Sequence, residues 1–143
     1  MQKKILVAAL VSTVLAANAS AAQLPDYTAV QTALLNGKSI HYVVDFTKCK
    51  TTSPEAKALT NAAVFEPNEM ILAPDHIATS LNHFTLDDPS YPDKPIYEFI
   101  KYTLDKDGTL LLGVQDLNAV DFSMLGNGYT VTCKMNDGLN VFD

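Results

Sequence analysis

The run from Ile96 to Gln115, IYEFIKYTLDKDGTLLLGVQ, reads as two alternating strands joined at Asp105-Lys106-Asp107-Gly108. Asp-Gly between apolar runs predicts a hairpin, because glycine adopts a positive φ at little steric cost. The loop length then decides which side chains share a face. A two-residue loop at Asp107-Gly108 would set Tyr102 against Gly113 and Ile100 against Gln115. A three-residue loop, Lys106 to Gly108, sets Leu104 against Leu110, Tyr102 against Leu112 and Ile100 against Val114. The second register gathers six apolar side chains on one face. The expectation is therefore a type I turn with Gly108 left-handed, forming a G1 bulge. Phe99, Lys101, Thr103, Leu111, Gly113 and Gln115 fall on the other, mixed face.

The first 21 residues read as an address and not as part of the fold. Lys3 and Lys4 precede an apolar run from Ile5 to Ala17, and Ala19-Ser20-Ala21 is a small-residue cleavage site. The run is too short to span a bilayer, which takes about 20 apolar residues. The chain is thus expected to be periplasmic or secreted, with residues 22–143 as one domain and no membrane insertion after cleavage. Cys49 and Cys133, both in the exported part, are expected to pair in that oxidising setting.

Of ten basic residues, all lysine, the leader removes two. Eight against sixteen acids leave a net charge of −8, from −6 for the whole chain. Such a surface cannot neutralise phosphates, so nucleic acid is excluded as a partner. Without arginine there is also no bidentate fork for carboxylate or phosphate. A charged partner should be basic or metal-bearing.

Leu24 to Gly37 is predicted to be a short helix, capped by Asp26 and ended by Gly37. Lys38 to Phe46 alternates with period two and is predicted to be a strand. Lys50 to Asn61 reads as loop, with Ser53-Pro54 able to start one helical turn. Ala62–Glu66 and Glu69–Ala73 are weak strands, His76–Leu86 a longer one, and Asp87–Pro95 a proline-rich loop. Leu117–Asn127 reads as irregular, with a Gly126-Asn127-Gly128 turn. Gly128–Met135 is a late strand and Leu139–Phe142 a short closing one. Together these predict a mainly β (α+β) fold: an antiparallel meander, or a small partly open barrel, with one N-terminal helix packed on it.

No nucleophile elbow, phosphate loop, dinucleotide fingerprint or zinc-protease motif occurs. His76 and His83 lie seven apart on one strand, over roughly 20 Å and on opposite faces, so they cannot share a metal. His41 and His83 could do so only if their strands paired. Asp105-x-Asp107-Gly108 lacks the further acids of a calcium loop and is turn chemistry. Asp87, Asp88 and Asp93 could hold a weak cation. Tyr91, between prolines, is an aromatic suited to recognition. The candidate surface residues are accordingly Tyr91, Asp87, Asp88, His83 and His41, with no catalytic set, no cofactor and no resident metal.

The stretches IATSLNHFTLDD and KPIYEFIKYTLDKDGTLLL, with the run from Gly37 to Cys49, resemble the VirK family of bacterial exported proteins. The matching positions are His83-Phe84-Thr85, Pro95, Glu98-Phe99, Tyr102 and Asp107-Gly108. The resemblance implies a small signal-peptide-bearing protein associated with virulence loci, without an established activity. The expected function is non-enzymatic binding of a protein or small ligand by a monomer. The alternatives are a glycan-directed hydrolase or lyase using paired carboxylates, and an acidic inhibitor of a basic enzyme.

Overall fold

The computed structural model describes residues 21–57, 59–67, 69–88 and 90–143; the signal-peptide reading lies outside them apart from Ala21. Strand β1 (Gln23–Leu24) leads into helix α1 (Tyr27–Leu35), then β2 (His41–Asp45), a 3-10 turn at Phe46–Lys48, and one helical turn, α2 (Pro54–Lys57). The remaining strands are β3 (Ala62–Phe65), β4 (Ile71–Leu72), β5 (His76–Thr85), β6 (Ile96–Asp105), β7 (Thr109–Asn118), β8 (Met124–Met135) and β9 (Gly138–Phe142). They form one sheet in the order β3-β2-β9-β8-β7-β6-β5-β4, with β1 also on β9. The sheet curls into an open half-barrel with the helix packed on it.

The central hairpin has the register predicted from its turn. Leu104 faces Leu110, Tyr102 faces Leu112 and Ile100 faces Val114. Gly108 has φ +79°, where any other L-residue would lose roughly 1–2 kcal/mol. The Asp107 carboxylate accepts from the Thr109 amide and hydroxyl at 2.9 and 3.0 Å, so it serves the turn. The concave face of β5 to β8 then alternates as the register dictates. Ile77, Tyr102, Leu104, Leu110, Leu112, Val131 and Cys133 are buried, each large apolar side chain contributing about 1.5–3 kcal/mol by leaving water. From the other wing of the curl Tyr42 stacks on Tyr102 at 6.1 Å, and Phe65 meets the same ring edge-on at 5.2 Å.

The helix is shorter than its apolar spacing suggests. Leu24 belongs to β1, opposite Val141, because the sheet edge at β9 offers it backbone bonds that a first helical turn cannot. Asp26 caps α1 by accepting from the Ala29 amide at 2.9 Å, and Gly37 follows at φ +74°. Tyr27, Val30 and Ala33 are its buried face. The larger difference lies at residues 117–127. Strand β7 runs to Asn118 and β8 starts at Met124, with Leu117 opposite Met124. Gly126-Asn127-Gly128 is a bulge inside β8 and not a turn: two left-handed glycines take up extra residues while the ladder resumes on either side.

Strands β8 and β9 touch only through a two-residue bridge at Lys134–Gly138 and Met135–Leu139. Two further links close that corner. Lys50 and Thr132 exchange backbone bonds of 2.8 Å, and Cys49 is bonded to Cys133 across 84 positions. Removing the disulfide with Cys49→Ala and Cys133→Ala is expected to cost about 2–4 kcal/mol, read as a lower urea midpoint. The far-ultraviolet circular dichroism should be retained, because the β5–β8 ladder is hydrogen-bonded along its own strands.

Candidate functional site

The concave face changes chemistry partway along its strands. Two residues beyond Leu81, Ile100 and Val114 on the same face stand His83, Glu98 and Asp116. The ladder makes them direct neighbours: His83 opposite Glu98, and Glu98 opposite Asp116. Like charges opposite each other are destabilising in a sheet, so this end of the face runs against packing logic. A third acid comes from the proline-rich loop. Asp88 accepts from the amides of Ser90 at 2.7 Å and Tyr91 at 3.1 Å, which fixes the turn and aims the carboxylate. Carboxylate oxygens of Asp88, Glu98 and Asp116 lie within 4.8 Å of one another, and all three residues are half-buried. His83 Nδ1 is 3.3 Å from Glu98 Oε2.

The β8 bulge builds the opposite wall. Asp88, Tyr91, Asp116, Leu125, Gly128 and Tyr129 line a cleft of about 320 Å³. A Cβ on Gly128 would stand 2.6 Å from the Val114 carbonyl and 2.8 Å from Gln115 Oε1, so the bulge requires glycine there. A Cβ on Gly126 would meet the Tyr91 hydroxyl at 3.1 Å. Larger hollows exist beside Ile40, beside Cys49 and beside Asp26 with Asp143, but among the described residues only Asp88, Glu98 and Asp116 bring three carboxylates within reach of one another. The chemistry, not the volume, selects the site.

Burial is the main cause that raises Asp116 to about 6, and the charges of Asp88 and Glu98 add to it. Tyr129 is pushed up to about 12 by burial and then by the same acids. Three acceptor-only groups at this spacing match the span of oxygen ligands around one hard cation at 2.3–2.6 Å. They equally suit an ammonium group, or an acid–base pair in which one carboxyl holds a proton.

The site assembles some of the residues expected to meet a ligand and leaves others outside. Asp88 and Tyr91 share the cleft, and His83 is tied to the cluster only through Glu98. Asp87 is exposed on the same loop, and Asp93 does not join Asp88 in the acid cluster. His41 and His83 do not pair, because β9, β8, β7 and β6 lie between β2 and β5; His41 instead lies 3.3 Å from Glu66. From the sequence Glu98 enters only as a position matched to the family, and Asp116 does not enter at all. The hairpin register already contained them: a turn that sets Leu104 on Leu110 sets Glu98 on Asp116 six steps further out.

The pH dependence has a definite sign. Asp116 moves from 3.8 to about 6 on folding, so between those values the native protein holds more protons than the unfolded chain. Its contribution to stability falls as pH rises from about 4 to about 6. Asp107 and Asp121, lowered by bonds from Thr109 and Ser123, act oppositely and lose their contribution as pH falls below the ordinary carboxylate range. Asp116→Asn should therefore stabilise the protein above pH 6 by about 1 kcal/mol, after allowance for solvent screening. Urea titrations at pH 4 and pH 7.5 check this, with the gain expected only at the higher pH.

Comparison with known proteins agrees with the architecture. Residues 23–122 match the family model described as VirK protein. An uncharacterized protein, y4wH, from Sinorhizobium fredii is 26% identical over 120 residues, covering 83% of this chain and 81% of that protein. The crystal structure of lpg1832, a VirK family protein from Legionella pneumophila, superposes with a TM-score of 0.78 at 30% identity, covering 85% of this chain and 98% of the other. With a family model spanning most of its length and a matching fold, the chain belongs to the VirK family.

Proposed function

We propose that this protein is an exported, non-enzymatic binding module that receives a cationic group at the cluster of Asp88, Glu98 and Asp116, two of whose acids, Asp88 and Asp116, line the cleft. The observation that carries the reading is their convergence. Three acids from a loop and two adjacent strands place oxygens within 4.8 Å, at a cost in repulsion that packing alone does not demand. A bound positive charge removes that cost and returns Asp116 to its ionised form. The acidic chain, at −6 overall, steers a cation toward the cleft. Inhibition of a basic enzyme is a special case, with the cation on a partner's lysine or arginine.

One observation favours a second reading. A carboxyl raised to about 6 beside two others is the arrangement of an acid–base pair, and an oxygen spacing below 5 Å is near that of retaining glycosidases, about 5–5.5 Å. Asp116 would then donate the proton and Glu98 attack.

Thermal melts of residues 22–143 at pH 7.5 with calcium chloride, or with a lysine-rich peptide, separate the two. The binding reading expects a rise in melting temperature with at least one probe, worth about 2.7 kcal/mol at a hundredfold excess over Kd, and its loss in Glu98→Gln. No rise with either probe overturns it. Release of reducing ends from envelope glycan, abolished by Glu98→Gln, would establish the second reading in its place.

A further inference from the structure

The strand segments that carry the acids inward carry aromatic side chains outward. On the convex face Phe84 of β5 meets Tyr97 of β6 at 5.4 Å between ring centres. Tyr97 meets Phe99 at 6.5 Å and stacks on Phe122 at 5.7 Å with planes 13° apart. Leu117, opposite Tyr97, and Met124, opposite Leu117, extend the same face. Phe84, Phe99, Phe122 and Met124 are 50, 39, 58 and 64% exposed. None of the six is charged.

Phe122 is held for this position. It has φ +58°, a region costly for a bulky side chain. Its amide donates to the Asn118 carbonyl at 2.9 Å, and the next turn is fixed by Ser123 donating to Asp121. The loop thus keeps a strained residue whose ring stacks on Tyr97 and still faces water.

We infer that this convex aromatic face is the contact of a symmetric dimer of the chain, two sheets packed outer face on outer face. The area argues for it. At 150–250 Å² for a large aromatic side chain, the six residues present on the order of 500 Å² of apolar surface. A standard interface of about 800 Å² a side, about 57% of it apolar, needs roughly 460 Å² of apolar surface from each copy, and this patch supplies about that much. A two-fold contact also needs a self-complementary surface. An uncharged patch meets that demand, whereas any charged patch on this acidic chain would face its own sign. The monomer expected from the sequence gives way to a pair in which both acid clefts, on the concave faces, stay open. The inference does not rest on the cation reading.

Sedimentation equilibrium of residues 22–143 tests it. A monomer–dimer equilibrium is expected, tightening as salt rises from about 0.05 to 0.5 M, because salt screens repulsion between two acidic copies without weakening the apolar contact. Phe122→Asp and, separately, Met124→Lys should each weaken dimerisation by about tenfold or more while the circular dichroism stays unchanged; both side chains are exposed and lie outside the buried core, and Tyr97 keeps its contacts with Phe84 and Phe99 when Phe122 is replaced. A monomer at all concentrations, a dimer that dissociates with salt, or a dimer untouched by both substitutions overturns the inference.

Discussion

A single register, set at Gly108, decides what both faces of this protein present. Slipping β6 against β7 by one residue would exchange the faces of one strand relative to the other. Glu98 would then stand beside outward-facing side chains and Phe99 would be driven toward the core. The glycine and the Asp107 bonds to Thr109 hold the hairpin where Tyr102, Leu104, Leu110 and Leu112 are buried together. The same alternation, carried outward along the strands, delivers the acids to the concave side and the aromatics to the convex side. The two surfaces are one structural decision read at alternate residues.

The lower and upper ends of the sheet solve opposite problems. Below, the curl brings Tyr42 and Phe65 onto Tyr102, and the disulfide with the Lys50–Thr132 bridge ties the β2–β9 wing to β8 where the strand ladder is thinnest. Above, the ladder continues but the filling changes. His83, Glu98 and Asp116 follow Leu81, Ile100 and Val114, and the β8 bulge draws the wall outward so that a cleft exists. The apolar lower half supplies the stability that lets the upper half hold repelling charges. Acids set opposite one another against an otherwise consistent background are the kind of local exception that proteins carry at functional sites.

The lower half was legible in the sequence, and the upper half was legible only in part. Period-two alternation and Asp-Gly gave the hairpin, its register and the strand faces. The export reading of the leader led to the Cys49–Cys133 pairing. The Asp26 cap and Gly37 gave α1, although Leu24 was drawn into the helix because local pattern cannot register a distant β9 edge. Gly126-Asn127-Gly128 signalled positive φ correctly, but a turn and a bulge demand the same conformation. Only the resumption of pairing at Leu117 and Met124 distinguishes them. His41 and His83 looked combinable because strand order is non-local: β2 joins the sheet beside the last strand, not beside β5.

The acids show where such reading stops and why. Sixteen carboxylates cannot be ranked by identity, since each alone is compatible with a solvated surface. Two of the three that matter become a pair as soon as the turn length is chosen, because antiparallel register is arithmetic: whatever sets Leu104 on Leu110 sets Glu98 on Asp116. The third, Asp88, follows no period. It reaches the cleft through an Asx turn in a proline-rich loop, and its placement depends on how that loop folds back over β7. Paired residues inherit their positions from the ladder, whereas the loop residue has to be placed by its own hydrogen bonds to Ser90 and Tyr91. The cluster therefore has two members set by the ladder and one set by the hydrogen bonds of its own loop. Asp88 is thus the member whose position the sheet does not dictate, and the register of the hairpin alone could never have pointed to it.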